Sequence, residues 1–381
     1  MEQVINLLND PNNKLQTPCY LYSIGQLERN AQAMRKALGT QVILSVKANN
    51  NIDLLIRSAH FFTEGTEVAT IKEFQTVVGG ENIRYVNNPS ADKKFLMAAV
   101  SGKARIIIDN MPQLEIISEL AAKNRKIEAV ILRVNPVVLK QLNDKHPKIR
   151  PDQFGMDWDT LCQAVDMCKQ NNLPLIGIHL FKGSYSFEKT AMDTVDSVKE
   201  MVAGLEERFE KPLSFVNLGG GFKEQWQQST FDFAAYRDKL SELPSHLTLA
   251  HESGRGLMAN IGYFATKVRY TKQVEQNHYI ICDGGIAQNF LLAKTENTLR
   301  KLNTPTIWRN PENAEKGRVK AACQFVGSSC SKDDVIGKQS DDHVLPQVGD
   351  IAIFDNCGAY NASYTVAPFL QLPAASSYII E

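Results

Sequence analysis

The chain lacks an excess of charge of either sign: 42 Lys and Arg balance 42 Asp and Glu, so the formal net charge is zero at pH 7. It also lacks a basic run or an interleaved aromatic stripe, which argues against nucleic acid and anionic membrane as partners. The segment Met1 to Asp10 has no positive stretch followed by an apolar core, and no run approaches the roughly 20 apolar residues of a membrane span. A cytoplasmic location is expected. The seven cysteines (Cys19, Cys162, Cys168, Cys282, Cys323, Cys330, Cys357) are odd in number and scattered, with no pair at the two-residue spacing of zinc sites. No metal centre is expected, and most of these thiols should be small buried hydrophobes in a reduced compartment. Cys330 is the exception, because Gly327-Ser328-Ser329-Cys330-Ser331-Lys332-Asp333-Asp334 reads as a polar turn where a thiol is exposed and able to exchange a proton. Phosphate-loop and dinucleotide fingerprints, internal repeats and low-complexity segments are absent as well.

What is present is a series of short apolar runs. Eight of them, Val42–Val46, Phe61–Val68, Ile83–Asn87, Arg105–Asp109, Ala129–Asn135, Leu175–Leu180, Phe215–Leu218 and Leu247–Glu252, are nearly continuous in hydrophobicity and each ends in a polar or glycine-rich loop. That is the pattern of parallel strands buried on both faces. Helix-period segments lie between them: Leu27, Ala31, Met34 and Leu38 share one face, and similar stretches cover residues 112 to 123, 159 to 171 and 189 to 208. Eight strands alternating with helices over roughly 230 residues predict a (β/α)8 barrel, whose chemistry sits at the carboxyl ends of its strands. After about residue 260 the texture changes to strands without regular helices, at Tyr263–Tyr270, Tyr279–Cys282, Ala321–Val326 and Asp350–Phe354. The expected organisation is an α/β barrel over residues 26–258 and a β-rich, Greek-key-like β-sandwich domain built from 1–25 and 259–381. Residues 287 to 320, polar and marked by the turn signals Asn303-Thr304-Pro305 and Asn310-Pro311-Glu312-Asn313, read as a mobile loop.

The predicted strand ends gather a particular set of side chains. Lys47 closes the run Val42–Val46, and a lysine there has a desolvated, nucleophilic amine suited to a Schiff base, although most strand-end lysines only carry their charge to solvent. Asn217-Leu218-Gly219-Gly220-Gly221-Phe222 lets backbone N–H groups approach an anion, or else is simply a tight turn. Gly183-Ser184 offers a hydroxyl, and Arg255, three residues past Glu252, a charged donor for a phosphate. A lysine amine, several phosphate donors and a carboxylate fit pyridoxal 5'-phosphate (PLP) better than a nucleotide.

With these residues in place, the chain resembles the fold-type III PLP-dependent decarboxylases, the group of diaminopimelate, ornithine and arginine decarboxylases. Five motifs carry the resemblance in order: Ser45-Val46-Lys47-Ala48-Asn49; Gly177-Ile178-His179 with Gly183-Ser184; Gly219-Gly220-Gly221-Phe222; Glu252-Ser253-Gly254-Arg255; and Gly327 to Cys330 followed by Gly358-Ala359-Tyr360. The resemblance implies that Lys47 carries the cofactor covalently and that Glu252 hydrogen-bonds the pyridine nitrogen, keeping the ring a strong electron sink. The similar alanine racemases place an arginine there instead. It further implies that Ser184, Gly219, Gly220, Gly221, Gly254, Arg255 and Tyr360 cradle the cofactor and its phosphate, with Glu67 and Arg133 around the lysine and the phenolic oxygen. Arg133 also reads as a structural ion pair and Glu67 as a solvated strand end. Cys330 matches the cysteine that protonates the substrate's alpha carbon from the partner subunit, which implies a head-to-tail homodimer whose β-rich domains complete each other's sites.

Departures from the family pattern bear on substrate. Phe181 stands where a histidine stacks on the ring, which keeps an aromatic face and loses imidazole proton chemistry. His179, two residues earlier, is either a cofactor-side residue or a satisfied core histidine. Ser331 replaces the acid that grips a distal ammonium group, leaving Ser331 and Asp334 as candidate substrate contacts, and Asp283-Gly284-Gly285-Ile286-Ala287-Gln288 lacks the arginine-proline pair that binds a distal carboxylate. The expected substrate is therefore elaborated: a siderophore intermediate joining an amino acid to citrate, or an amino acid tethered to a carrier or peptide. Free diaminopimelate or ornithine remains an alternative, as do a racemase using Cys330 or Tyr364 as a second base and a silent regulatory homologue.

Overall fold

The structure is a computed structural model that describes residues 1–77, 82–142, 149–293, 302–313, 319–366 and 369–381. Two compact units emerge, one of residues 28–257 and one of residues 1–27 with 258–381.

In chain order, β1 (Cys19–Ser23) precedes the barrel strands β2 (Gln41–Ser45), β3 (Thr66–Val68), β4 (Arg84–Asn87), β5 (Arg105–Ile108), β6 (Ala129–Val134), β7 (Leu175–Leu180), β8 (Phe215–Asn217) and β9 (Thr248–Ser253). These eight pair in parallel, each with the next, and β9 closes on β2. Their runs are apolar throughout because both faces are covered, inside by other strands and outside by helices. The helical face anticipated at Leu27, Ala31, Met34 and Leu38 lies in Ile24–Leu38 with all four side chains fully buried, and the other three anticipated helices are Met111–Ala122, Trp158–Gln170 and Phe187–Phe209. Short polar side chains start the helices where the loops end. Asn51, Thr70, Asp92, Asn110, Asp157 and Asp232 each accept a backbone N–H from the first turn that follows. Beside that cap, Glu73 Oε2 reaches back past Thr70 and accepts the Ala69 N–H at 2.7 Å.

The barrel interior is layered by the two-residue period of a strand. Ile43, Tyr85, Ile107, Ile131, Phe215 and Ala250 form one apolar cluster. The same level is held by Gly65, just before β3, and by Gly177 on β7, where a Cβ would lie 2.6 Å from the Tyr85 ring and 1.7 Å from the Phe215 carbonyl oxygen. Two residues further along six of these strands come Glu67, Asn87, Asp109, Arg133, His179 and Asn217, and on β9 Glu252, all buried. A polar layer thus sits directly on an apolar one.

The other unit contains β1 and β10 (Gly262–Val274), β11 (Asn277–Cys282), β12 (Thr306–Trp308), β13 (Cys323–Val326), β14 (Val335–Gln339), β15 (Ile351–Phe354) and β16 (Ser376–Ile380). It is a separate mixed β-sheet domain joined through the long β10, which pairs with β1, β15 and β11. The ladders β1·β16 and β11·β13 are parallel, so its topology is more mixed than a Greek key alone provides. Val4, Leu8, Cys19, Leu21, Ala265, Ile351, Ile353 and Ile380 make its core. The stretch 287–320, read as a loop, contains β12 and short 3-10 turns at Phe290–Leu292 and Pro311–Asn313, while 294–301 and 314–318 lie outside the described residues.

Two outcomes follow. Gly177→Ala drives a methyl into the Phe215 carbonyl and should lower stability by about 2 kcal/mol or more, read by urea denaturation. His251 is fully buried, its Nδ1 2.8 Å from Thr40 Oγ1 and its Nε2 3.0 Å from Tyr236 Oη, and burial with the Lys182 charge pushes its pKa down to about 3. The folded chain refuses a proton that the unfolded chain accepts near pH 6.5, so this contribution to stability is complete above that pH and declines as pH falls toward 3, by about 1.4 kcal/mol per pH unit. His251→Gln should flatten that part of the stability profile.

Candidate active site

Lys47 does not end its strand. β2 stops at Ser45, and Val46–Ala48 forms a 3-10 turn that turns the lysine over the barrel mouth. Gly254 permits this arrangement, since a Cβ there would come within 2.7 Å of the Ala48 side chain. The lysine side chain is 42% exposed, which corrects the expectation of a desolvated amine: its distinction is its position and partners. Its Nζ lies 3.3 Å from Glu67 Oε2 and 5.9 Å from the centre of the Phe181 ring.

From Glu67 a buried polar chain runs around the barrel. Asn87 Nδ2 donates to Glu67 Oε1 at 3.2 Å, Arg133 Nη1 donates to Asn87 Oδ1 at 3.2 Å and to Asp109 Oδ1 at 2.9 Å, and the Gly155 N–H also donates to Asp109 Oδ1. The Arg133 guanidinium carbon lies over the Phe154 ring, 4.4 Å from its centre. Arg133 is therefore a structural ion pair and part of the lysine's surroundings at once, and Glu67, 1% exposed, is no solvated strand end.

Across the mouth, Glu252 Oε2 accepts from His179 Nε2 at 3.0 Å and from Asn217 Nδ2 at 3.4 Å. Its other oxygen takes no hydrogen bond among the described residues. Burial pushes the Glu252 carboxyl up, but His179 and the charges of Lys47 and Arg133 outweigh it and hold the group below the ordinary carboxylate range. His179 is completely buried, and its Nδ1 has no hydrogen-bond partner among the described residues. It is a support for Glu252 and not a self-sufficient core histidine.

The glycine triplet is dictated by close backbone approach. A Cβ on Gly219 would lie 2.0 Å from the Leu180 carbonyl, on Gly220 2.4 Å from that of Glu252, and on Gly221 2.7 Å from that of Gly183, with Gly219 and Gly221 at φ of +75° and +92°. Three strand-end loops are thereby drawn together, with Ser184 exposed beside them. Next to Gly183, Lys182 is partly buried and burial pulls its amine down to about 8. Arg255 donates to Glu224 Oε1 at 3.1 Å and stacks on Tyr185, whose hydroxyl donates to the same Glu224 oxygen at 2.8 Å.

A polar atom buried without a partner, a carboxylate with one open oxygen, a reachable lysine and a glycine-lined anion cradle together match the donor set of a PLP-like aromatic phosphate. Among the described residues no cluster of His, Cys, Asp and Glu could hold a metal ion.

Four anticipated residues belong to the β-rich unit. Cys330 is exposed and Ser331 partly exposed, and Tyr360 sits at φ +68° in a turn where its carbonyl accepts the Tyr364 N–H. Asp334, in contrast, is buried, accepting the Ile286 N–H at 2.9 Å and the Ser329 N–H at 3.0 Å. It clamps two loops, with both carboxylate oxygens accepting backbone N–H groups. Asn87, Asp109, Asn217, Tyr185, Glu224 and Lys182 were not anticipated; the first three carried a signal, each standing two residues after a core-facing strand position.

Residues 24–259 match the family described as pyridoxal-dependent decarboxylase, pyridoxal binding domain. The chain is 29% identical, over 94% of its length and 88% of the relative, to the L-glutamyl-[BtrI acyl-carrier protein] decarboxylase of Niallia circulans. It is 25% identical, over 93% and 92%, to the 2-[(L-alanin-3-ylcarbamoyl)methyl]-2-hydroxybutanedioate decarboxylase of Staphylococcus aureus. In fold it is similar to the diaminopimelate decarboxylase from M. jannaschi, with a TM-score of 0.80 at 21% identity, covering 99% of this chain and 89% of that one. The chain belongs to the pyridoxal-dependent decarboxylases of fold-type III, enzymes that use pyridoxal 5'-phosphate to remove CO2 from an amino acid.

Proposed function

We propose that this enzyme removes the alpha-carboxylate of an elaborated amino acid, one conjugated to citrate or tethered to a carrier or peptide, in siderophore or other specialised biosynthesis. The observation that carries the proposal is the Asp334 carboxylate, buried and spent on two backbone amides, while Ser331 beside Cys330 brings a hydroxyl whose oxygen accepts the Asp333 N–H. A free diamino acid presents a distal ammonium that needs a carboxylate partner; a conjugated one does not. The names of the two relatives point the same way, one acting on a carrier-bound glutamyl group and the other on a hydroxybutanedioate conjugate.

When bound, PLP supplies the electron sink for the carbanion left by CO2. Lys47 anchors it, and Glu67 stands at the anchoring nitrogen. Glu252, steadied by His179 and Asn217, would accept the ring N–H and keep that proton in place. Gly219, Gly220, Gly221, Gly254, Ser184, Arg255 and Tyr360 would hold the phosphate and cofactor, and Phe181, its ring centre 5.9 Å from the Lys47 amine, would offer an aromatic face to the cofactor. A carboxylate at the ring nitrogen favours decarboxylation over racemisation, because it preserves the full electron sink. Cys330, contributed by the partner subunit of a head-to-tail homodimer, holds the proton that the alpha carbon receives. A cytoplasmic setting fits seven cysteines that are all free thiols.

Incubation of the PLP-loaded enzyme in D2O with free and conjugated diamino acids, followed by mass spectrometry, tests the substrate class. Conjugates should lose CO2 and gain one deuterium, with free diaminopimelate and ornithine turned over at a kcat/KM below about 10^4 M⁻¹s⁻¹. Efficient turnover of either free acid contradicts the substrate assignment, and alpha-deuteration with the carboxylate retained contradicts decarboxylation. The shared site has its own test: Lys47→Ala and Cys330→Ala should each be nearly inactive, whereas mixing and reassociating them should restore about one quarter of wild-type activity, the share of native sites in random dimers.

A further inference from the structure

The side chains of four adjacent strand ends are hydrogen-bonded in series, and the one in the middle is an amide. Glu67 and Asn87 come from β3 and β4, Asp109 follows β5, and Arg133 lies on β6. All four are buried. Asn87 stands between an acid and a guanidinium, donating to Glu67 Oε1 and accepting from Arg133 Nη1, both at 3.2 Å. Of the residues in the series, only an amide offers a donor and an acceptor on one rigid plane, and those two neighbours leave it a single orientation. Arg133 is held in turn by Asp109, and Asp109 by the Gly155 N–H.

We infer that Asn87 is a positioning residue for the reactive lysine: it fixes the Glu67 carboxylate against the Lys47 amine and ties it to the Arg133–Asp109 ion pair. The inference rests on the reading of Lys47 as the cofactor's point of attachment. The charged and titratable groups facing the amine are Glu67 from β3, Glu73 from the helix Ile71–Thr76, and Glu252 from β9, with Arg133 and His179 behind them. Glu67 alone among the acids is held through Asn87. Its negative charge, 3.3 Å from Nζ, favours the protonated form of the attachment nitrogen, and loosening it withdraws that support.

The test is a pH titration of the visible absorbance of the PLP-loaded protein, with thermal melts to verify folding. Asn87→Leu should lower the midpoint by about one pH unit. Glu67→Gln should lower it at least as far, and Asn87→Leu should have no further effect in the Glu67→Gln background, because Asn87 acts through Glu67. Asn87→Ala also removes the bond to Glu67 with less bulk, so its midpoint should fall as well; if Asn87→Leu does not fold, this variant takes its place. An unmoved midpoint in Asn87→Leu, or in Asn87→Ala where it stands in, or additive shifts in the double variant, overturns the inference. A visible band that survives Lys47→Ala shows instead that the attachment reading is wrong, and the inference falls with it.

Discussion

Everything at the mouth of this barrel depends on strand closure in register. Once eight parallel strands close with β9 against β2, residues two apart on each strand face the same interior, and a layer is filled or emptied as a whole. Tyr85, Ile107, Ile131, Phe215 and Ala250 fill one level with hydrocarbon, and Gly65 and Gly177 yield space to their large neighbours. The next level is polar on every strand. A buried polar layer persists where its groups largely satisfy one another, and here they do so around the ring, lysine to acid, acid to amide, amide to guanidinium, guanidinium to acid on one side, and histidine and amide to acid on the other, leaving open His179 Nδ1 and one Glu252 oxygen among the described residues.

That ring separates two tasks by placement. The Lys47 side holds an accessible nitrogen beside a fixed negative charge. The Glu252 side holds a carboxylate whose one oxygen is committed to its neighbours and whose other is open. Charges of both signs alternate, so the layer carries several ionisable groups without concentrating charge of one sign. The anion cradle lies to one side, where the glycine triplet packs three loops closely, and its guanidinium, Arg255, is already oriented by Glu224 and Tyr185.

Much of this was legible in the sequence, for identifiable reasons. Strands buried on both faces leave near-continuous apolar runs, so all eight barrel strands coincide with expected runs, with Gln41 of β2 and Ser253 of β9 one residue beyond them. The ends were less legible: Phe61 belongs to a 3-10 turn before β3, and Lys47 to a turn after β2, because periodicity does not report where a strand gives way to a tight turn. The β-rich unit was only partly visible. β12 has three residues, β14 is interrupted by Gly337, and β1 and β16 depend on partners more than two hundred residues away. At the site, motif residues with unusual chemistry stood out, whereas Asn87, Asp109 and Asn217 looked like ordinary loop formers. Their two-residue spacing after Tyr85, Ile107 and Phe215 was the signal, and it has meaning only once the barrel is closed. Glu224 and Tyr185 left no local trace, since their contact to Arg255 is purely tertiary.

The account stands most directly on which nitrogen carries the cofactor. Two lysines near the cradle compete for that role, Lys47 with its fixed acid partner and Lys182 with an amine drawn down to about 8 by burial. Borohydride reduction of the PLP-loaded protein, followed by proteolysis and mass spectrometry, locates the attachment. The account predicts a single pyridoxyl-modified peptide with the modification on Lys47; modification of Lys182, or of any other lysine in its place, would contradict it.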